Sequence, residues 1–131
     1  AHPENFSRYF ADSPLPNRLE LFLPLAASSD RRMSDVAIYG DIHHSYQQML
    51  EGRMILNTGS VGNPLDTCEA SYLILEGAEG VTVAPFDVTF VRLSYDIEQT
   101  LREAKERDVP DLEGYTAELR TAKYFRRTPF N

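Results

Sequence analysis

The feature that most limits how this chain can fold is a series of short apolar runs between residues 35 and 93, each ended by a glycine or a polar turn. Runs of this length, rich in β-branched and aromatic residues, are typical of β-strands and too short for most helices. The predicted strands lie at residues 35–39, 52–57, 71–75, 81–83 and 87–93. A sheet of short strands is therefore expected at the centre of the protein.

Helices are predicted before and after these strands along the sequence. Asn17 can cap a helix that begins near Arg18, where apolar residues dominate. Asp96 can cap a second helix that runs to about Arg107, and Pro110 separates it from a third. Apolar residues recur at helical spacing in the third helix, at Leu112, Tyr115, Leu119 and Ala122. The chain is therefore predicted to contain both strands and helices.

The size and charge of the chain limit its organisation and its partners. Its 131 residues are enough for one compact domain, so residues 1–131 are assigned to a single domain. The net charge of -7 argues against a nucleic acid partner, because coating phosphates requires clustered Lys and Arg. A small phosphoester is not excluded as a substrate, because bound divalent metals can reverse the charge of an acidic site.

Cysteine content and apolar runs indicate the compartment. The single cysteine, Cys68, cannot form an internal disulfide, which suits a reducing compartment. No apolar run approaches the roughly 20 residues of a membrane helix, and no secretory leader opens the chain. We therefore expect a cytoplasmic protein with no membrane partner. The chain opens at Ala1 without a Met, so we also expect sequence upstream of it.

The first candidate site lies where the strand predicted at residues 35–39 is stopped by Gly40. Asp41 and His43 follow at positions i and i+2, and His44 is adjacent. Glycine lets the backbone turn sharply, so a carboxylate and an imidazole could converge on one cation. A polar loop with surface histidines would have the same sequence, and spacing alone does not separate the two interpretations.

The second candidate site is a glycine-rich loop at residues 57–64, with the sequence Asn-Thr-Gly-Ser-Val-Gly-Asn-Pro. Small residues after a strand can expose backbone amides to an anion. The loop is not a P-loop, because it lacks the Gly-Lys-Ser/Thr ending of that motif. The alternative interpretation is a structural turn in which Gly59 and Gly62 both adopt positive φ.

Taken in order, the two segments resemble the C-terminal part of calcineurin-like metallophosphoesterases, in particular their small bacterial phosphodiesterase-like branch. That family ends with a strand leading to Gly-His-x-His, a hairpin, the sequence Asn-Pro-Gly-Ser-Val-Gly-x-Pro, and a strand opening with Ser-Tyr or Ala-Tyr. Here residues 40–43 resemble the first motif, residues 57–64 the second, and Ser71-Tyr72 the third. The likeness extends over about residues 34–126.

The resemblance implies both a fold and a chemistry. The fold would be the C-terminal half of a four-layer α-β-β-α sandwich, with the metal site at the strand ends. The cofactors would be two divalent metal ions, drawn from Mn, Fe, Zn and Mg, about 3.5–4 Å apart. A hydroxide bridging the ions would attack the phosphorus of a small phosphoester, while the ions stabilise the phosphoryl oxygens.

The sequence also departs from the family pattern. Asp41 stands where the family has its first histidine and His43 matches the second, so both are candidate metal ligands. His44 is expected to be exposed or to lie behind the ligands, and His2 is a weak candidate for the family's separate histidine ligand. Motifs of the types Asp-x-His, Gly-Asp-x-x-Asp and Gly-Asn-His are missing from suitable positions. We therefore expect an N-terminal half of the fold to come from the same or another chain.

The expected function is metal-dependent hydrolysis of phosphomonoesters or phosphodiesters by the intact protein, with this chain alone inactive. The alternative is a degenerate, non-catalytic phosphoesterase-like domain with a role in binding or assembly. Replacement of one histidine favours the alternative, whereas His43 and the loop at residues 57–64 favour the enzyme. If the resemblance is correct, Asp41 and His43 lie at the C-terminal end of the first strand and face that loop.

Overall fold

A computed structural model describes residues 9–24, 31–80 and 85–125 of the chain. Within these ranges the protein is mixed α/β, with three α-helices and five strands in two small sheets. The strands are β1 Val36–Tyr39, β2 Ser45–Leu50, β3 Arg53–Thr58, β4 Ala70–Gly77 and β5 Phe86–Leu93. The helices are α1 Leu15–Leu19, α2 Ile97–Glu106 and α3 Leu112–Thr121, and a 3-10 helix Glu20–Phe22 follows α1. None of the helices in the described part of the chain is long and apolar enough to cross a membrane.

The larger sheet has the order β1–β3–β2, with β3 in the middle. β3 pairs with β1 in parallel, and Tyr39 at the end of β1 lies opposite Asn57. Parallel neighbours end at the same edge of a sheet. The loops that follow β1 and β3 therefore start side by side, which confirms the expectation that they lie at one edge.

β2 was not predicted from the sequence. Gln47 and Gln48 interrupt its apolar pattern, so the segment does not have the appearance of a buried strand. The strand forms because Glu51 and Gly52 make a tight turn with φ of 48° and 78°, which suits a two-residue hairpin. The hairpin around Gly52 thus joins β2 to β3, and β1 reaches β3 by a separate, parallel pairing.

The other four described strands confirm the sequence prediction to within two residues at each end. The strand predicted at residues 81–83 lies outside the described residues. The first helix was placed wrongly, because α1 begins after Pro14 and not near Arg18 with an Asn17 cap. Proline is favoured in the first turn of a helix, because its fixed φ suits helical backbone and its missing N–H costs no helical hydrogen bond there.

The main core lies between the larger sheet and the N-terminal helical segment. Phe22 and Ile55 are fully buried, and they pack with Leu50. Tyr39 and Tyr46 pack against this cluster. The face of the larger sheet nearest to Phe22 is therefore covered, and the strand ends that carry the candidate site are held in place.

The two C-terminal helices confirm the sequence prediction. The Asp96 side chain accepts a hydrogen bond from the Gln99 amide at 2.8 Å and so caps α2. Arg120 of α3 donates two hydrogen bonds to the carboxylate of Glu98, at 2.8 and 2.7 Å. The two helices are thereby linked, and Leu119 of α3 is fully buried.

One ion pair connects the smaller sheet to the loop that precedes it. Arg92 on β5 donates to both oxygens of the Asp66 carboxylate, at 2.8 and 2.5 Å. Asp66 also accepts a hydrogen bond from the Ser45 amide at 2.8 Å, at the start of β2. Burial alone would raise the pKa of Asp66, but these hydrogen bonds outweigh it and lower the pKa to about 2.

We predict that this ion pair makes stability depend on acid pH. The folded-state pKa of Asp66 lies below its ordinary value of 3.8, so the stabilisation is complete above about pH 5 and is lost as pH falls toward 2. Arg92→Met should lower the free energy of unfolding at neutral pH by about 1–2 kcal/mol and reduce its loss in acid, as measured by urea unfolding.

The matched control is Asp87→Asn, which removes an exposed carboxylate from the same two-stranded sheet. It should leave the acid dependence as in the wild type. An Arg92→Met chain whose stability falls with acid as steeply as that of the wild type would contradict the role given to Asp66.

Candidate functional site

Asp41 and His43 occupy the turn between β1 and β2. Both are half-buried, the intervening Ile42 is buried, and His44 is exposed, as expected from the sequence. His43 has φ of 58°, in the left-handed region that non-glycine residues seldom adopt. Such a conformation persists where surrounding contacts enforce it.

The contacts that hold His43 come from the end of the glycine-rich loop and the residues after it. His43 Nδ1 lies 2.7 Å from the backbone carbonyl oxygen of Asn63. The His43 carbonyl oxygen accepts a hydrogen bond from the Leu65 amide at 3.1 Å. A carbonyl oxygen only accepts hydrogen bonds, so Nδ1 carries the proton, and Nε2 of the neutral ring keeps its lone pair.

The loop at residues 57–64 is closed largely by its own side chains. Asn57 is fully buried, and its Oδ1 accepts a hydrogen bond from the Gly59 amide at 2.9 Å. The Asn63 amide donates to Ser60 Oγ at 3.0 Å. Ser71 Oγ donates to the Thr58 carbonyl oxygen at 2.9 Å, which ties the loop to β4. Two amides that could have bound an anion are thus occupied, as the structural-turn interpretation expects.

The two glycines of the loop differ from the sequence expectation. Gly59 has φ of 72°, and a Cβ added there would lie 2.0 Å from Ser71 Oγ. Gly62 does not adopt positive φ, and apart from its chain neighbours no atom of the described residues lies within 4 Å of the position of an added Cβ. The expectation of positive φ at both glycines is therefore right for Gly59 and wrong for Gly62.

Asp41, His43 and Asn63 line a single cavity of about 680 Å³. The wall is completed in part by Phe10 and by Glu118, which come from distant parts of the sequence. Asn63 Oδ1 is buried and has no hydrogen-bond partner among the described residues. A buried acceptor without a partner costs free energy unless a water or ligand donates a hydrogen bond to it or a metal ion binds it.

Sequence reasoning missed Glu118 at this site, and it included Asn63 only as a member of the loop at residues 57–64. Asn63 Nδ2 donates to Glu118 Oε2 at 2.6 Å across the cavity wall. A nearby contact joins Tyr115 OH to the Gly62 carbonyl oxygen at 2.9 Å. The only sequence signal for Glu118 was that Tyr115 and Glu118 carry polar groups three residues apart, so that both lie on one side of α3. That signal does not reveal which loop they contact.

The donor atoms fit part of a divalent metal site. A carboxylate, an amide oxygen and an imidazole nitrogen are ligands that Mn, Fe, Zn or Mg accept to differing degrees. Within residues 9–24, 31–80 and 85–125, however, no group of three or more His, Cys, Asp and Glu is placed to hold an ion. His2, the weak third candidate, lies outside the described residues. Comparison with family models and with curated proteins gives no match.

We predict a large effect of an added methyl group at Gly59 and a small one at Gly62. Gly59→Ala must both hold positive φ and displace the Ser71 side chain, so it should lower the free energy of unfolding by about 2 kcal/mol or more. Gly62→Ala meets open space and should change it by less than about 0.5 kcal/mol. Equal thermal or urea stabilities for the two variants would contradict the loop geometry described.

Proposed function

We propose that this chain is the C-terminal part of a calcineurin-like metallophosphoesterase, in which Asp41 and His43 ligate divalent metal. The intact protein would hydrolyse phosphomonoesters or phosphodiesters. The observation that supports this most is the 2.7 Å contact between His43 Nδ1 and the Asn63 carbonyl oxygen. It joins the two loops that carry the family resemblance, at the end of a parallel strand pair.

The residues of this chain have distinct roles in the proposed site. His43 presents the Nε2 lone pair, because its Nδ1 proton is engaged by the loop. Asp41 supplies a carboxylate in place of the family's first histidine, which adds negative charge and weakens the Lewis acidity of the bound ion. Asn63 lines the same cavity, and its buried Oδ1 has no hydrogen-bond partner among the described residues. When bound, two ions would supply a metal-activated hydroxide and stabilise the phosphoryl oxygens.

We further propose that the fold is one half of a four-layer α-β-β-α sandwich. The remaining ligands and layers would come from an N-terminal half, in the same chain or another. Two features support this. β1 lies at an edge of its sheet among the described strands, and Ile38 on it is 48% exposed. A zinc-type ion usually takes about four ligands, more than Asp41 and His43 can supply.

A second candidate is a degenerate phosphoesterase-like domain that binds or assembles without catalysis. It is favoured by the carboxylate at position 41 and by the lack of a metal-binding cluster among the residues that the structure describes. In that case Asp41 is a loop residue with no metal, and the cavity serves another ligand. The two candidates differ in whether substitutions at Asp41 and His43 change bound metal.

Metal content of the intact protein distinguishes the two candidates. Asp41→His should raise metal affinity and activity, because a neutral nitrogen donor leaves the ion more Lewis acidic than a carboxylate does. His43→Ala should lower both by about tenfold or more. Asp87→Asn is the control, since it removes an exposed carboxylate that does not line the cavity. Equal metal stoichiometry by elemental analysis in all four proteins would refute the ligand roles.

We also predict that the 131-residue chain alone has no appreciable phosphodiesterase activity with added Mn. One partial ligand set cannot hold two ions at the separation that this chemistry needs, about 3.5–4 Å. The measurement is release of nitrophenol from bis-p-nitrophenyl phosphate, with and without a chelator. Rapid, chelator-sensitive turnover by the purified chain would show that the described residues already form a complete site.

A further inference from the structure

Asn63 lies between helix α3 and His43. Its side-chain Nδ2 donates to Glu118 Oε2 at 2.6 Å, and its backbone carbonyl oxygen accepts from His43 Nδ1 at 2.7 Å. An amide nitrogen cannot accept a hydrogen bond, and a deprotonated carboxylate cannot donate one. The side-chain contact therefore fixes the orientation of the Asn63 side-chain amide. It also restrains the position of the residue as a whole.

Glu118 is itself held by contacts that leave it little freedom. Its Oε1 accepts a hydrogen bond from the Phe125 amide at 2.9 Å, so both carboxylate oxygens are engaged. One turn earlier on α3, Tyr115 OH donates to the Gly62 carbonyl oxygen at 2.9 Å. Two consecutive loop residues are thus hydrogen-bonded to α3, and the helix is anchored by the fully buried Leu119.

We propose that Glu118 is a positioning residue, which acts through Asn63 to hold the His43 ring with its proton on Nδ1. Helix α3 thereby decides which ring nitrogen of His43 is available at the cavity. Glu118 lines that cavity, and each of its two carboxylate oxygens already accepts a hydrogen bond from the protein. Its effect on the site is indirect, through the loop.

The physical reason is that neutral imidazole has two tautomers, and the group bonded to one nitrogen selects between them. The Asn63 carbonyl oxygen selects the Nδ1–H form only while it stays within hydrogen-bond range of the ring. Loss of the carboxylate would free the Asn63 side chain and loosen that carbonyl. Residues that hydrogen-bond to a metal ligand without touching the metal typically change metal affinity by about 10- to 100-fold when they are removed. The consequence for metal rests on the function proposed above, whereas the tautomer does not.

The experiment reads the tautomer directly in the 131-residue chain. Long-range proton–nitrogen correlation spectra in alkaline buffer, where model imidazoles are neutral, distinguish the two forms of the ring. We expect the Nδ1–H form for His43 in the wild type and a mixture of forms in Glu118→Ala. Asn63→Ala should give the same mixture, and the double variant should add nothing further, because both changes break one connection.

Two further variants separate positioning from general damage. Glu118→Gln keeps an acceptor oxygen for Asn63 Nδ2 and should restore most of the Nδ1–H form. Glu113→Ala removes an exposed carboxylate from the first turn of the same helix and should leave the His43 tautomer unchanged. In a Mn titration followed at the His43 ring signals, Glu118→Ala should weaken the apparent affinity about tenfold or more.

An Nε2–H form of His43 in the wild type would overturn the inference. So would an unchanged tautomer in a folded Glu118→Ala chain. If that variant does not fold, Asn63→Ala applies the same test from the other side of the hydrogen bond. A wild-type chain that shows the expected tautomers but no effect of Mn on His43 would sustain the positioning role while counting against the proposed metal function.

Discussion

The parallel pairing of β1 with β3 is the constraint on which the candidate site depends. Parallel neighbours must end at the same edge, so the turn carrying Asp41 and His43 and the loop at residues 57–64 start together. β3 is held on both sides and carries two fully buried aliphatic residues, Ile55 and Leu56. A change that shifted the register of β3 would therefore move both loops at once.

Hydrogen bonds made by buried and half-buried polar side chains hold the loops at this edge. The Asn57 side chain accepts a hydrogen bond from within the glycine-rich loop, and Asp66 links the start of β2 to β5. Beneath the same edge, Tyr39 donates a hydrogen bond to the Tyr9 carbonyl oxygen, and its hydroxyl contacts that of Tyr46. Burial raises the pKa of both Tyr39 and Tyr46, so they stay neutral and add no charge behind Asp41.

The sequence predicted what depends on local pattern and missed what depends on distant contacts. The apolar runs around Ile38, Ile55 and Ile74 gave strands, and Asp96 correctly marked the start of α2. β2 was missed because its glutamines form a strand only through pairing with β3. Glu118 was missed because no local signal connects residue 118 with residue 63, 55 positions earlier. The side of the sheet that carries the site was predictable, but the helix that supports it was not.

The proposed function requires His43 Nε2 and the Asp41 carboxylate to bind one divalent ion in the cavity between the two loops. Anomalous diffraction from crystals of the chain grown with Mn locates the ion without assumptions about activity. The account predicts a peak about 2.0–2.3 Å from both His43 Nε2 and an Asp41 oxygen. Mn bound only at exposed carboxylates elsewhere, with His43 Nε2 donating a hydrogen bond to another group, would contradict it.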